Sequence, residues 1–213
     1  MEDDPQVTEC LHQARQGDTR MLAELLDQQR PRLRRMVQLR LDRRLQGRVD
    51  PSDVIQEAFL EATTRLQDYL SNPSIPFGIW LRFITFQKLL TLHRHHLRTQ
   101  SRDASREIAL FTGVLPEASS VALAKQLLGH LTSPSQAALK AERKLRLEDA
   151  LNRMHEIDRE VLLLRHFEEL GNLETASVLG ISPTAANNRY VRALKRLKDT
   201  LLGMSGMEEG TEL

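Results

Sequence analysis

Between Pro183 and Leu201 the chain carries side chains suited to hydrogen bonding and to holding anions. Thr184, Asn188, Arg192 and Lys195 recur at intervals of four, four and three, so on a helix they share a face, with Asn187, Arg189 and Arg196 on its flanks. Asparagine and arginine present paired groups that match base edges, and arginine and lysine hold phosphates. The opposite face is apolar, with Ala186, Tyr190, Ala193, Leu194, Leu197 and Leu201. Ser182 is a good N-cap and Pro183 suits the first helical position. A shorter helical pattern, Leu173 to Leu179, precedes it, with Ala176 and Gly180 four apart at the break. The small residue lets two helices approach, and the glycine permits a left-handed turn between them. This is the helix-turn-helix pattern, whose second helix enters a DNA major groove. An ordinary hairpin with a solvated basic face shares some of these features. The Ala-Gly spacing, the Ser-Pro cap and the Asn/Arg face together favour DNA.

A second stripe lies on the predicted helix Phe77 to Arg98. Trp80, Gln87, Thr91, Arg94 and Arg98 fall within about 60° of one another at 100° per residue. The aromatic could stack on an unpaired base while the cations hold phosphates; a lone tryptophan is also often core. His93, His95 and His96 do not give the i, i+4 pair that places two imidazoles on one helical face, and no cysteine or nearby carboxylate completes a site. A solvated or phosphate-contacting role is expected of them, and no metal or other cofactor. A third stripe is acidic: Asp53, Glu57 and Glu61, with Thr64, oppose the apolar face of Ile55, Ala58, Phe59, Ala62, Leu66 and Tyr69. It reads either as a solvated face or as a dock for a basic partner.

The elements that must position these stripes are helical. Residues 8 to 46 read as helix with a break near Gly17-Asp18, and Gly47 is the expected stop. Asp50-Pro51-Ser52-Asp53 is a helix start. SNPSIP, residues 71 to 76, is a loop. Residues 99 to 140 are rich in serine, with Pro116 and Pro134, and read as a long linker. Helical pattern returns from Ala141, and Asp158 begins a helix leading into the helix-turn-helix. The expected fold is all-α: two small helical domains joined by a flexible linker. Their bounds are 1–99 and 138–203, with 100–137 as the linker and 204–213 as an acidic tail.

A net charge of +1 over 213 residues conceals three basic blocks: the arginines between Arg30 and Arg48, the run Lys88 to Arg106, and the C-terminal helix-turn-helix. Basic patches spaced along a neutral chain suit an extended polyanion. Cys10 is the single cysteine, so no internal disulfide is available and a reducing compartment fits. An acidic N-terminus without an apolar run argues against a signal peptide, and no stretch is long enough to span a membrane. A cytoplasmic location is expected.

Taken together, these segments resemble the bacterial RNA polymerase sigma factors of the sigma-seventy family, in particular the small two-domain extracytoplasmic-function (ECF) type. RVDPSDVIQEAFLEA is similar to the segment that docks on polymerase, FGIWLRFITFQKLLTLHRHHLR to the segment that melts and reads the −10 element, and DREVLLLRHFEELGNLETASVLGISPTAANNRYVRALKRLK to the −35-reading domain. The resemblance implies polymerase binding by Asp53, Gln56 and Glu57. It implies −10 contacts by Trp80, Gln87, Lys88, Thr91, Arg94 and Arg98. It implies −35 contacts by Thr184, Asn187, Asn188, Arg189 and Arg192. The implied partners are core RNA polymerase, promoter DNA and, as members often have one, an anti-sigma protein. No catalysis is implied. Ala186, Asn187 and Asn188 stand where many members have Val, Lys and Ser, so the −35 preference does not carry over. A regulator with the same helix-turn-helix that is not a sigma subunit is the alternative. It would need a sensor domain with alternating strands, and residues 1 to 99 show none.

Overall fold

A computed structural model of the chain describes residues 4–42, 44–97, 123 and 136–206. Its secondary structure is helical apart from an isolated bridge between Gln46 and Val49. Two compact units are present, Met1–Gly113 and Val114–Leu213. The expected linker falls largely outside the described residues.

The first unit contains α1 (Pro5–Arg15), α2 (Thr19–Arg40), α3 (Pro51–Ser71) and α4 (Phe77–Leu97). Aspartates cap the first three. Asp4 accepts from the Gln6 N–H at 2.9 Å, Asp18 from the Arg20 and Met21 N–H groups, and Asp50 from the Ser52 N–H at 2.8 Å. Leu25, Val37, Ile55, Ala58, Phe77, Leu81 and Leu89 are sealed from solvent. Helix α4 packs on both α2 and α3, which accounts for apolar residues around much of its circumference. The Tyr69 hydroxyl donates to the Ile75 carbonyl at 3.0 Å and ties down the loop between α3 and α4.

Helix α2 stops at Arg40, earlier than the sequence predicts. Leu41 is extended, and Asp42 then accepts from the Arg44 backbone at 2.8 Å and from its guanidinium at 3.0 and 2.9 Å. That carboxylate-centred turn competes with the helix and wins. Gly47, with φ +81°, belongs to the following turn. The first basic block is also less available than its sequence suggests. Arg40 is 1% exposed and lies over the Phe86 ring, Arg44 is held by Asp42, and Arg30 pairs with Asp27 while covering Phe59.

The second unit contains α5 (Gln136–Asn152), α6 (Glu156–Leu162), α7 (Asn172–Leu179) and α8 (Pro183–Gly206). A π-helical turn, Leu163–Phe167, extends α6. The Glu168 N–H donates to the Leu163 carbonyl at 2.9 Å, and the Leu170 N–H to the Leu164 carbonyl at 2.8 Å. The widened turn buries Leu163, Leu164 and Phe167 together. Helix α8 continues past residue 203, where the acidic tail was expected to begin, to Gly206. Residues 207–213 lie outside the described residues.

Candidate nucleic-acid and polymerase interfaces

The helix-turn-helix is built as its punctuation predicts. Gly180 adopts φ +63° between α7 and α8, and Ala176 beside it is buried. The Ser182 hydroxyl accepts from the Ala185 N–H at 3.2 Å, capping α8. Glu174 closes the start of α7 by accepting from the Gly171 N–H at 2.7 Å. Asn172 donates to the Pro183 carbonyl at 2.9 Å, joining the two helix starts.

Ala186, Ala193, Leu197 and Leu201 of α8 are buried. Thr184, Asn187, Asn188, Arg192 and Lys195 are exposed. The Arg192 Nε donates to the Asn188 carbonyl at 3.3 Å, so that guanidinium lies along the exposed face. Arg189 behaves differently from the expectation. It lies 3.6 Å from Asp158 of α6, and Arg196 also donates to Asp158. A buried carboxylate therefore draws Arg189 from the predicted base-reading set. Val191, absent from the predicted set, is 56% exposed on the same side of α8. A valine one residue from Arg192 reads as helix filler until its exposure is seen.

Behind α8, Tyr190 meets the π-helical turn. Its hydroxyl is 2.8 Å from His166 Nε2, and the Arg165 guanidinium sits 5.0 Å from the ring centre. Burial and the Arg165 charge lower the His166 pKa. The turn thus sets the rear of the reading helix, a role that spacing in the sequence did not suggest.

On α3 the acidic stripe divides. Asp53, Gln56 and Glu57 are exposed, as is Thr64, and Leu60 stands among them 67% exposed. Glu61 does not belong to that stripe. It pairs with Arg65 at 2.6 Å and with Lys88 of α4 at 3.2 Å, and the Lys88 hydrogen bond leads the lowering of its pKa. Lys88, expected on DNA, is thereby spent on α3. Leu60 could have been found in the sequence as an apolar residue out of phase with Ile55, Ala58 and Ala62.

On α4, Gln87 and Thr91 are exposed, and the Thr91 hydroxyl donates to the Gln87 carbonyl at 3.0 Å. Arg94 is exposed and Arg98 lies outside the described residues. Trp80 is half-buried. Its ring stacks on Tyr69 with centroids 4.5 Å apart and 24° between planes, and tilts against Phe77 at 5.6 Å. His93 departs from the expectation. It is buried, and its Nε2 accepts from the Asp42 N–H at 3.3 Å. Burial lowers its pKa, Arg44 adding to the effect against the opposing charge of Asp42. His95 and His96 remain exposed. Among the described residues, no group of three or more His, Cys, Asp or Glu could hold a metal ion.

The family described as Sigma-70, region 4 matches residues 144–197. The ECF RNA polymerase sigma factor SigD of Mycobacterium tuberculosis is 30% identical over 186 residues, covering 87% of this chain and 79% of that protein. The RNA polymerase sigma factor CnrH of Cupriavidus metallidurans is 27% identical over 152 residues, covering 71% of this chain and 73% of its own. A solved structure of CnrH in complex with the cytosolic domain of CnrY aligns with a TM-score of 0.54 at 21% identity, over 93% of this chain and 98% of that one, and shares its fold.

Proposed function

The chain belongs to the ECF RNA polymerase sigma factors, and from that membership we propose how its exposed faces divide the work of promoter recognition. As a sigma factor it binds core RNA polymerase, directs it to promoters and assists DNA opening at initiation; it is not an enzyme. A helix-turn-helix regulator that is not a sigma subunit does not fit this membership.

In our reading, Asp53, Gln56 and Glu57 meet polymerase, with Leu60 as an apolar anchor between them. Stripe-like exposure of carboxylates around one leucine suits an interface with an apolar centre and a charged rim. Thr184, Asn187, Asn188 and Arg192 read the −35 element. Trp80, Gln87, Thr91 and Arg94 serve the −10 region, Trp80 offering an aromatic surface to an unpaired base. Opening DNA costs about 1.4 kcal/mol per base-pair step. Stacking on aromatics returns roughly 1–3 kcal/mol per base. A few captured bases therefore hold a small bubble, with polymerase contacts adding the rest. The expected site of action is the cytoplasm, where polymerase and promoters are. Among the described residues no helix is long and apolar enough to cross a membrane. CnrH has been solved with the cytosolic domain of CnrY, which supports a regulatory protein as a further partner here.

The observation that carries this reading is the capped, exposed face of α8 built on a buried apolar one. Run-off transcription with core polymerase across genomic promoter fragments tests it. The expected result is a set of discrete starts that require this chain. Transcription indifferent to its presence overturns the reading.

A further inference from the structure

Three arginines lie within one stretch of α8, and two of them share a carboxylate, although the Arg196 side chain remains 63% exposed. Arg189 and Arg196 are seven residues apart, so they point within about 20° of each other on a helix of 100° per residue. Both reach Asp158, Arg189 at the Oδ1 oxygen and Arg196 at Oδ2. The Asp158 side chain is 6% exposed, so this carboxylate is held in the protein rather than in water. It occupies the third position of α6, where the positive end of the helix favours an anion. Arg192 lies between the pair in sequence but about 40–60° further round the helix. Its guanidinium meets a backbone carbonyl and, among the described residues, no carboxylate.

Resting on the −35 reading above, we propose that Asp158 is a positioning residue for DNA selection. It withdraws Arg189 and Arg196 from the phosphate backbone, leaving Arg192 and Lys195 as the cations of the reading face. The consequence is discrimination. Phosphate contacts strengthen binding to every sequence alike, whereas base contacts strengthen it to one. Holding two cations back keeps the sequence-independent share of the binding small.

The test uses holoenzyme reconstituted from core polymerase and the full chain. Its binding is measured on a promoter duplex and on the same duplex with a scrambled −35 element, over about 50–200 mM salt. Each phosphate neutralised contributes about −0.9 to the slope of log K against log salt on duplex DNA. Lys195→Gln should make the slope shallower by about 0.9, Arg192→Gln should narrow the ratio between promoter and scrambled duplex, and Arg189→Gln should leave both slope and ratio unchanged. Asp158→Asn should steepen it by about 0.9–1.8 and narrow the ratio between promoter and scrambled duplex. The triple variant Asp158→Asn, Arg189→Gln, Arg196→Gln should return the slope to its starting value, which a merely structural role would not do. An Arg189→Gln slope that is shallower by about 0.9, as for Lys195→Gln, overturns the proposal, and this arm decides even if Asp158→Asn fails to fold. So does a folded Asp158→Asn protein with unchanged slope and ratio. If Arg192→Gln also has no effect, the −35 reading itself has failed.

Discussion

Leu60 and Trp80 show how a single side chain can serve a surface without holding the fold. With two thirds of Leu60 in solvent, truncating it removes little from the core. Full burial of a leucine contributes roughly 1.5–3 kcal/mol, so covering it with polymerase gives a gain of that order. Leu60→Ala should therefore weaken core polymerase binding about tenfold or more while barely moving the unfolding midpoint. Asp53→Arg with Glu57→Arg should abolish pull-down of core polymerase and leave helicity by circular dichroism intact; undiminished capture would sink the assignment. Trp80 has two faces to account for. One stacks on Tyr69, so Trp80→Ala should lower the unfolding midpoint. If the other takes an unpaired base, the same variant should also reduce permanganate reactivity of −10 thymines, and a template with a pre-melted bubble should restore transcription. A midpoint loss with no rescue by the bubble would leave Trp80 as core alone. The sequence was informative about residue types here and silent about pairing. Lys88 and Glu61 are 27 residues apart, as are no two members of a helical repeat, and nothing in a one-dimensional pattern predicts that one neutralises the other.

At the scale of elements, helix starts and the turn between α7 and α8 were legible because short-range chemistry sets them. Asp50 before Pro51, Ser182 before Pro183 and Gly180 after Leu179 each act within four residues. The end of α2 and the π-helical turn were not legible, because both depend on distant partners. Asp42 gives its backbone N–H to His93, 51 residues on, and the π turn is fitted to Leu163, Leu164 and Phe167 in a shared core. Gly180 offers a clean test of the local rule. A Cβ placed there meets nothing within 4 Å, so sterics with neighbours do not enter; only its φ of +63° opposes a side chain. Gly180→Ala should cost roughly 1–2 kcal/mol, the ordinary penalty for a left-handed L-residue. Thermal melts monitored in the second unit would report it. A neutral result would mean that the turn relaxes to another conformation, and the −35 affinity would then change while stability did not.

The molecule as a whole is divided into two units, and each contains a histidine whose folded pKa is depressed. His93 accepts a backbone hydrogen bond with its Nε2 lone pair, which a proton would remove. His166 is half-buried against Tyr190 with Arg165 close by. In both cases the unfolded chain takes up a proton more readily than the folded one. Stability linked to these groups is thus complete above the unfolded value near 6.5 and is lost as pH falls towards and through the lower folded value. Asp42 has the same sign at a lower pH. Its pKa is depressed chiefly by the Arg44 hydrogen bond, so its contribution persists above its usual 3.8 and disappears only in stronger acid. The first unit should therefore weaken in two stages on acidification, first through His93 and then through Asp42, whereas His166 weakens the second in the earlier range. Hydrogen exchange read peptide by peptide in the full chain distinguishes the units. Between pH 7.5 and 5.5, after correction for the intrinsic rate, protection should fall in both. His93→Gln, whose carbonyl oxygen can still accept from the Asp42 N–H, should flatten that loss in α2 and α4 and leave α6 and α8 as sensitive as before. An unchanged loss in α4 of the variant would show that His93 is not the group whose protonation opens the first unit.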